Sequence, residues 1–172
     1  MAAVRYFVAQ MPPPQVAQRL VDATGSLQAE FSQARATASE NLHLTLAFIG
    51  ALNSTRAADV ARNLQALETA AFTWTLDRLA AFVPARIAWA GGAAPAALLE
   101  LAAQCRALLD RLEVPYDRKS FVAHVTLLRD LPRRASIERT IEPISWPMAT
   151  PVLMSSRASG GDVRYERVPA RS

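Results

Sequence analysis

The chain has few of the residues that build covalent cross-links and metal sites. Its 172 residues include one cysteine, Cys105, and only two histidines. A single cysteine excludes an internal disulfide, and so few soft ligands argue against a closed zinc site. We therefore expect no cofactor, no bound metal and a reducing, cytoplasmic location.

Long apolar runs, glycine and lysine are also scarce. No run approaches the ~20 apolar residues of a membrane helix, and the first ten residues lack the pattern of a signal peptide. We therefore expect no membrane partner. The six glycines form no phosphate-binding loop. Lys119 is the only lysine and the net charge is +4, which weakly favours an anionic partner, although a GC-rich genome produces the same arginine bias.

Core-forming residues are abundant by comparison. Hydrophobic residues make up 51% of the chain, enough for a sizeable core, and no shift of composition divides it. We expect residues 1–172 to form one two-lobed domain and a monomer. The hydrophobic patterns predict strands over 4–10, 42–49, 72–79, 86–90, 121–128, 151–157 and 163–168. They predict helices over 14–25, 54–69 and 95–112.

The two histidines stand in nearly identical phrases about half a chain length apart. One phrase is His43-Leu-Thr45-Leu and the other is His124-Val-Thr126-Leu. Because side chains alternate along a strand, each histidine points the same way as its threonine while the residue between them faces the core. By the same alternation, Phe48 should lie on the buried face. If the two strands meet at a cleft, two imidazoles and two hydroxyls converge there.

This set of groups suits phosphodiester chemistry without a metal. A neutral imidazole can take a proton from an attacking hydroxyl or water, and an imidazolium can protonate the leaving oxygen. The ordinary imidazole pKa of about 6.5 makes both forms available near neutrality. A single His-x-Thr in a strand is usually core packing. The duplication favours a functional pair.

The same phrases resemble the 2H phosphoesterase superfamily, and within it the RNA 2′,3′-cyclic phosphodiesterases, also called 2′-5′ RNA ligases. The resemblance covers most of the chain. It is carried by the segments 6–9 (YFVA), 41–50 (NLHLTLAFIG), 86–91 (RIAWAG) and 121–129 (FVAHVTLLR). It implies an α+β fold with two pseudo-symmetric lobes, whose antiparallel sheets line a central cleft with helices outside.

The resemblance also implies roles for individual residues. His43 is expected to donate a proton to the leaving ribose 3′ oxygen and His124 to activate water, which leaves a 2′-phosphate. Thr45 and Thr126 are expected to hold the phosphate. Arg129 matches an arginine of the family and is an auxiliary candidate. Strict alternation points this side chain away from His124, so Arg129 contributes to the site only if the strand twists or ends there, and a surface or interface role is the open alternative.

Two departures from the family pattern precede the second histidine. Ala123 stands where a proline is common, which affects backbone stiffness more than chemistry. Lys119-Ser120 stands where Arg-Pro is common, and a lysine lacks the bidentate fork of arginine. We treat Lys119 and the adjacent Arg118 as auxiliary phosphate-binding candidates.

The function that the resemblance implies is hydrolysis of terminal 2′,3′-cyclic phosphates during RNA processing, with reversible 2′-5′ ligation as the same chemistry run backwards. The partners would be RNA ends or nucleotides that carry the cyclic phosphate. Two alternatives stay open. One is a phosphodiesterase for another small cyclic phosphate or a 2′-5′ oligonucleotide, and the other is a non-catalytic module that binds RNA ends.

Overall fold

The computed structural model describes residues 4–159 and 162–170 of the chain. Within these residues there are nine strands, three α-helices and one short 3₁₀ turn at Ser39–Asn41. The strands are β1 (Arg5–Gln10), β2 (Arg35–Ala36), β3 (Leu44–Gly50), β4 (Thr73–Phe82), β5 (Ile87–Gly91), β6 (Val125–Arg129), β7 (Glu138–Pro147), β8 (Val152–Ser159) and β9 (Asp162–Arg167). The helices are α1 (Pro14–Glu30), α2 (Ser54–Gln65) and α3 (Ala96–Arg111).

The strands form two sheets in which every pairing is antiparallel. The four-stranded sheet has the order β3-β1-β8-β9, and the five-stranded sheet has the order β2-β6-β5-β4-β7. The first histidine motif therefore belongs to the four-stranded sheet and the second to the five-stranded sheet. The expected α+β fold with antiparallel sheets is confirmed.

Each sheet is covered by helices on one face. Helix α1 packs on β6 and β7 of the five-stranded sheet, whereas α2 packs on β8 and α3 on β3 of the four-stranded sheet. In α3 the buried side chains recur at helical spacing and include Leu98, Leu101, Cys105 and Leu108, as the apolar pattern predicts. The opposite faces of the two sheets are left to border the cleft.

Helix α1 is longer than the sequence predicts, because it runs through Gly25 and ends at Glu30. The apolar stripe of Val16 and Leu20 continues to the buried Leu27, and this packing outweighs a helical glycine, which costs about 1 kcal/mol. Helix α2 is shorter than expected and ends at Gln65. Its N-cap is Asn53, whose side chain accepts a hydrogen bond from the backbone N–H of Arg56 at 2.9 Å.

Strand β7 was not expected from the sequence. It contains Pro143, which argues against a strand in a sheet interior. The strand lies at the edge of the five-stranded sheet, where a residue without an N–H group is tolerated. Its inner residue Trp146 is fully buried against Trp74, with ring centroids 5.9 Å apart. The expected turn of the last hairpin, at 160–161, lies outside the described residues.

None of the helices in the described part of the chain has the length and apolarity that crossing a membrane requires.

Candidate active site

Both histidines lie one residue before a strand, where the chain enters β3 and β6. The strands begin later than the sequence predicts, at Leu44 and Val125. The Nδ1 of His43 is 2.7 Å from the carbonyl oxygen of Asn41, and the Nδ1 of His124 is 2.7 Å from that of Val122. A carbonyl can only accept, so each Nδ1 carries a proton and each Nε2 is left for chemistry.

A β-bulge in β3 changes the face on which Phe48 lies. Thr45 pairs with Ala9, but Ala47 pairs with Val8, so Leu46 is an extra residue in β3. Leu46 and Ala47 are consequently both buried, and the alternation is reversed beyond them. Phe48 lies on the side of Thr45, with 41% of its surface exposed. The expectation that Phe48 packs in the core is therefore wrong.

A bulge at the same place in the second motif redirects Arg129. On β5, Trp89 pairs with Thr126 and Ala88 pairs with Leu128, so Leu127 is the extra residue in β6. Leu127 and Leu128 are both buried. Strict alternation therefore gives the wrong direction for Arg129, whose side chain lines the cleft together with both histidines.

The two motifs thus present the same three positions to one cleft of about 520 Å³. From one side come His43, Thr45 and Phe48, and from the other come His124, Thr126 and Arg129. A second hollow of about 580 Å³ adjoins this cleft and shares part of its wall. The convergence expected for the two imidazoles and two hydroxyls is present in the structure.

Each histidine rests against two aromatic rings. The His43 ring lies 4.7 Å from that of Phe7 and 5.2 Å from that of Tyr165, between centroids. The His124 ring lies 5.0 Å from that of Phe82 and 6.3 Å from that of Trp89. These contacts restrict the tilt of both imidazoles.

The histidine supports were only partly visible in the sequence. The sequence distinguishes none of these four rings, because an aromatic side chain in a strand can pack in the core or stack on a base. Trp89 is 5% exposed and packs on Phe82 and His124, so its ring is occupied by protein contacts. Phe7 lies on β1, which pairs directly with the strand of the first motif, and this pairing brings its ring to His43.

The threonines differ in their contact with the adjacent histidine. The Thr45 hydroxyl lies 2.9 Å from Nε2 of His43. Because Nδ1 of His43 carries the proton, the Thr45 hydroxyl donates to Nε2 when the ring is neutral. Within the described residues, Thr126 makes no corresponding hydrogen bond with His124, whose Nε2 has no protein partner.

Burial in the cleft lowers the pKa of both histidines. Burial lowers the pKa of His43 to about 4, opposed by its hydrogen bond to the Asn41 carbonyl and assisted by the charges of Arg129 and His124. Burial also lowers the pKa of His124, with the Val122 carbonyl opposing the shift and Arg129 assisting it. Both rings are therefore mainly neutral near pH 7 before an anion binds.

Arg118 and Lys119 lie outside the cleft. Arg118 forms an ion pair with Asp110 at 2.6 Å, and its guanidinium lies 4.1 Å from the centroid of the Tyr116 ring. Lys119 is highly exposed and lies 3.7 Å from Asp117. Neither side chain lines the cleft or the adjoining hollow, so the structure gives them no contact with the other candidate residues.

No group of three or more His, Cys, Asp or Glu side chains gathers as a metal site within residues 4–159 and 162–170. The polar groups that the cleft itself offers are imidazole, hydroxyl and guanidinium. These groups supply proton transfer and hydrogen bonds to an anion.

Comparisons with known proteins find similarity to phosphoesterases over most of the chain. The sequence model of a family described as LigT-like phosphoesterases matches residues 11–89, which include the first histidine motif. The RNA 2′,3′-cyclic phosphodiesterase of Escherichia coli strain K12 is 32% identical over 136 residues, which cover 76% of this chain and 75% of that protein.

Solved structures extend the similarity to nearly the whole chain. A crystal structure of a phosphoesterase superposes with a TM-score of 0.82 at 27% identity, covering 97% of this chain and 96% of that one. Escherichia coli LigT complexed with 3′-AMP superposes with a TM-score of 0.79 at 26% identity, covering 96% of this chain and 95% of that one.

Proposed function

The chain belongs to the LigT-like phosphoesterases of the 2H superfamily, and on that premise we propose that it is an RNA 2′,3′-cyclic phosphodiesterase that leaves a 2′-phosphate. One observation carries the proposal: His43, Thr45, His124 and Thr126 line one cleft, with both Nδ1 atoms hydrogen-bonded to backbone carbonyls, so that both Nε2 atoms are on the side of the cleft, that of His43 in contact with the Thr45 hydroxyl. The E. coli relative is named for this activity.

The reaction needs one proton removed and one delivered. Nε2 of His124 takes a proton from water as the water oxygen attacks phosphorus. The bond between phosphorus and the ribose 3′ oxygen breaks, and Nε2 of His43 donates a proton to that oxygen. The products are a 2′-phosphate monoester and a 3′-hydroxyl, with His43 neutral and His124 protonated, and exchange of protons with solvent restores the starting state.

The different surroundings of the two rings support this division of roles. The Nε2 of His124 has no hydrogen-bond partner among the described residues, so its lone pair is available to water. His43 must be protonated to act as a donor, although burial lowers its pKa to about 4. The negative charge of a bound phosphodiester favours the imidazolium and raises this pKa in the complex.

The remaining groups bind the phosphate. The hydroxyls of Thr45 and Thr126 donate hydrogen bonds to its non-bridging oxygens, which gain charge during the attack. The Thr45 hydroxyl is released for this purpose when Nε2 of His43 gains a proton and ceases to accept. Arg129 adds a guanidinium on the His124 side of the cleft.

Ligation is the same sequence with a different nucleophile, because an RNA 5′-hydroxyl attacks the 2′,3′-cyclic phosphate in place of water. Transfer of the phosphoryl group to that hydroxyl breaks the bond to the 3′ oxygen and forms a 2′-5′ linkage. His124 and His43 would perform the same two proton transfers, because the hydroxyl replaces water without any other change.

A single experiment tests the proposal. A short RNA with a terminal 2′,3′-cyclic phosphate is incubated in EDTA with the unmutated protein, His43→Ala and His124→Ala, and the 2′- and 3′-phosphate products are separated. We expect a 2′-phosphate that depends on both histidines and persists in EDTA. A 3′-phosphate would contradict the donor role of His43, and full activity in either variant would contradict the two-histidine mechanism.

The same assay separates the alternatives. Turnover of 2′-5′ oligonucleotides or other small cyclic phosphates, with none of the RNA end, would support another phosphodiesterase specificity. Tight binding of the RNA end without hydrolysis by the unmutated protein would support a binding module.

A further inference from the structure

A second hollow of about 580 Å³ opens directly beside the catalytic cleft. Both share His43, Thr126 and Arg129 in their walls, so a molecule bound between the histidines can extend into the hollow without leaving the protein surface. The proposed reaction uses only the cleft. The hollow therefore needs a separate explanation.

The charge of the hollow is predominantly positive. Arg35, Arg129 and Arg164 line it, and among its described lining residues Glu40 is the only carboxylate. The charge of Arg164 helps to lower the pKa of Glu40, although hydrogen bonds to its own backbone and to Ser39 are the larger causes. Arg35 is paired with Asp130 behind this wall, so three guanidinium groups stand against two carboxylates, and the remaining positive charge favours an anion.

Arg35 is held in place without using its whole guanidinium group. Its Nε donates to the Asp130 carboxylate at 2.6 Å. The contact orients the side chain and leaves both terminal nitrogens without a protein acceptor among the described residues. An oriented guanidinium loses less conformational entropy when it binds a phosphate.

The wall of the hollow also contains polar groups that lack partners. Asn41 is 9% exposed, its Nδ2 donates to the Val163 carbonyl at 2.7 Å, and its Oδ1 is buried without a hydrogen bond to any described residue. The hydroxyl oxygen of Thr37 is likewise buried and has no partner in the described part of the chain, and both residues line the hollow. Buried polar oxygens normally have partners, so these two indicate donors from outside the chain, such as water or ribose hydroxyls.

We propose that this hollow is a subsite for the 5′ side of the RNA, in which Arg35 and Arg164 bind the phosphate that joins the terminal nucleotide to its neighbour. The inference rests on the proposed function. It identifies the preferred substrate as an oligonucleotide or a 5′-phosphorylated nucleotide, and not a nucleoside 2′,3′-cyclic phosphate alone.

The kinetic test compares three substrates that share one reactive end. These are adenosine 2′,3′-cyclic phosphate, the same molecule with a 5′-phosphate, and the dinucleotide ApA with a 2′,3′-cyclic phosphate. For the unmutated protein, we expect the added phosphate to raise kcat/KM about tenfold, as one charge-assisted contact would. In Arg164→Ala and in Arg35→Ala, the ratio between the 5′-phosphorylated and unphosphorylated substrates should fall towards one.

Arg157→Ala is the matched control. Arg157 is the pairing partner of Arg164 on the neighbouring strand, but it lines a different groove between α2 and the sheet. This variant removes the same charge close by and should retain the full ratio. A general loss of positive charge would lower the ratio equally in Arg157→Ala and Arg164→Ala, and that result would overturn the proposal.

A binding measurement tests the subsite without catalysis. We expect the unmutated protein to bind adenosine 2′,5′-bisphosphate about tenfold more tightly than adenosine 2′-phosphate, and Arg164→Ala to lose this difference. Equal affinities in the unmutated protein would overturn the subsite. Absence of turnover with all three substrates would instead overturn the proposed function, and the binding ratio would still decide whether the hollow accepts a phosphate.

Discussion

The two histidine motifs share one backbone design but carry different third side chains. In both, the histidine precedes a strand, its Nδ1 is bonded to the carbonyl two residues earlier, and a bulge follows the threonine. Because of the bulge, the residue five positions after the histidine lies in the cleft. That residue is Phe48 in the four-stranded sheet and Arg129 in the five-stranded sheet.

This difference explains how a near-symmetric frame can serve an asymmetric reaction. Proton donation and removal need similar rings in similar positions, which the repeated backbone supplies. A nucleotide end has a charged phosphate and an apolar base, so identical third residues would match it poorly. At this third position, an exposed ring in one motif and a guanidinium in the other match the base and the phosphate, and Arg5 of β1 adds a second guanidinium to the wall of the cleft.

The largest expected effect comes from removing the histidines in turn. We expect His43→Ala and His124→Ala each to lower kcat/KM on the cyclic phosphate by about 10²–10⁴. The double variant should lose less than the product of the two, because both groups act on one transition state. Steady-state kinetics on the same RNA end measure kcat/KM for all three variants. Turnover at the wild-type rate by either single variant would contradict the requirement for both histidines.

A substrate with a better leaving group distinguishes the two histidines. Loss of bis(p-nitrophenyl) phosphate hydrolysis should be severe in His124→Ala and slight in His43→Ala, since a phenolate leaves without protonation. A severe loss in His43→Ala and a slight loss in His124→Ala would instead make His43 the base and His124 the proton donor.

The pH dependence of stability should also differ between the motifs. His43 has a pKa of about 4 in the folded protein and about 6.5 when unfolded, so the unfolded chain binds more protons between these values. This contribution to stability is complete above pH 6.5 and is lost as pH falls towards 4. Between pH 7.5 and 4.5, we expect His43→Gln to remove about 2 kcal/mol of the acid-induced loss of unfolding free energy.

His124→Gln provides the control for this measurement. The His124 ring is less deeply buried than that of His43. The substitution His124→Gln should therefore remove a smaller part of the acid-induced loss of unfolding free energy. Urea unfolding gives the free energy of unfolding at pH 7.5 and at pH 4.5 for each protein. The quantity compared is the difference between these two values, and not the stability at either pH, because either substitution can also alter packing. If the unmutated protein and His43→Gln lose the same unfolding free energy between the two pH values, the lowered pKa of a buried His43 ring is contradicted.

The last prediction concerns the two residues exposed by the bulges, whose loss should cost less activity than loss of either histidine. We expect Arg129→Ala to lower kcat/KM about 10–100-fold, the range for losing one charged hydrogen bond, and Arg129→Lys to recover part of it. We expect Phe48→Ala to lower it less, about threefold to tenfold, mainly through KM. Because Arg129 lowers the pKa of both histidines, NMR titration of Arg129→Ala should show both values raised.

Much of the fold, and the meeting of the four candidate residues at one cleft, were predictable because local signals agreed with the tertiary structure. The duplicated His-x-Thr phrases identified His43 and His124, and the apolar patterns located most strands. The directions of Phe48 and Arg129 were not predictable, since a bulge depends on pairing with another strand and not on the bulged strand's own sequence. Strand β7 was missed because the tolerance for Pro143 depends on its edge position.

The hollow beside the cleft was also beyond sequence reasoning. Its arginines come from β2, β6 and β9, which are far apart along the chain, and the sequence bias towards arginine made no one of them distinctive. Only the pairing of β2 with β6 and the packing of β9 against the Ser39–Asn41 turn bring them together.

The position of β1 has a consequence for biosynthesis. This first strand lies between β3 and β8, so the sheet that carries His43 lacks one of its inner strands until residues 152–159 have been made. A chain that has left the ribosome only as far as His124 contains both histidines but not β8 or β9. Such a nascent chain has the reactive groups without β6 and without Tyr165, one of the two rings beside His43, so enzymatic activity should appear only after β9 has left the ribosome.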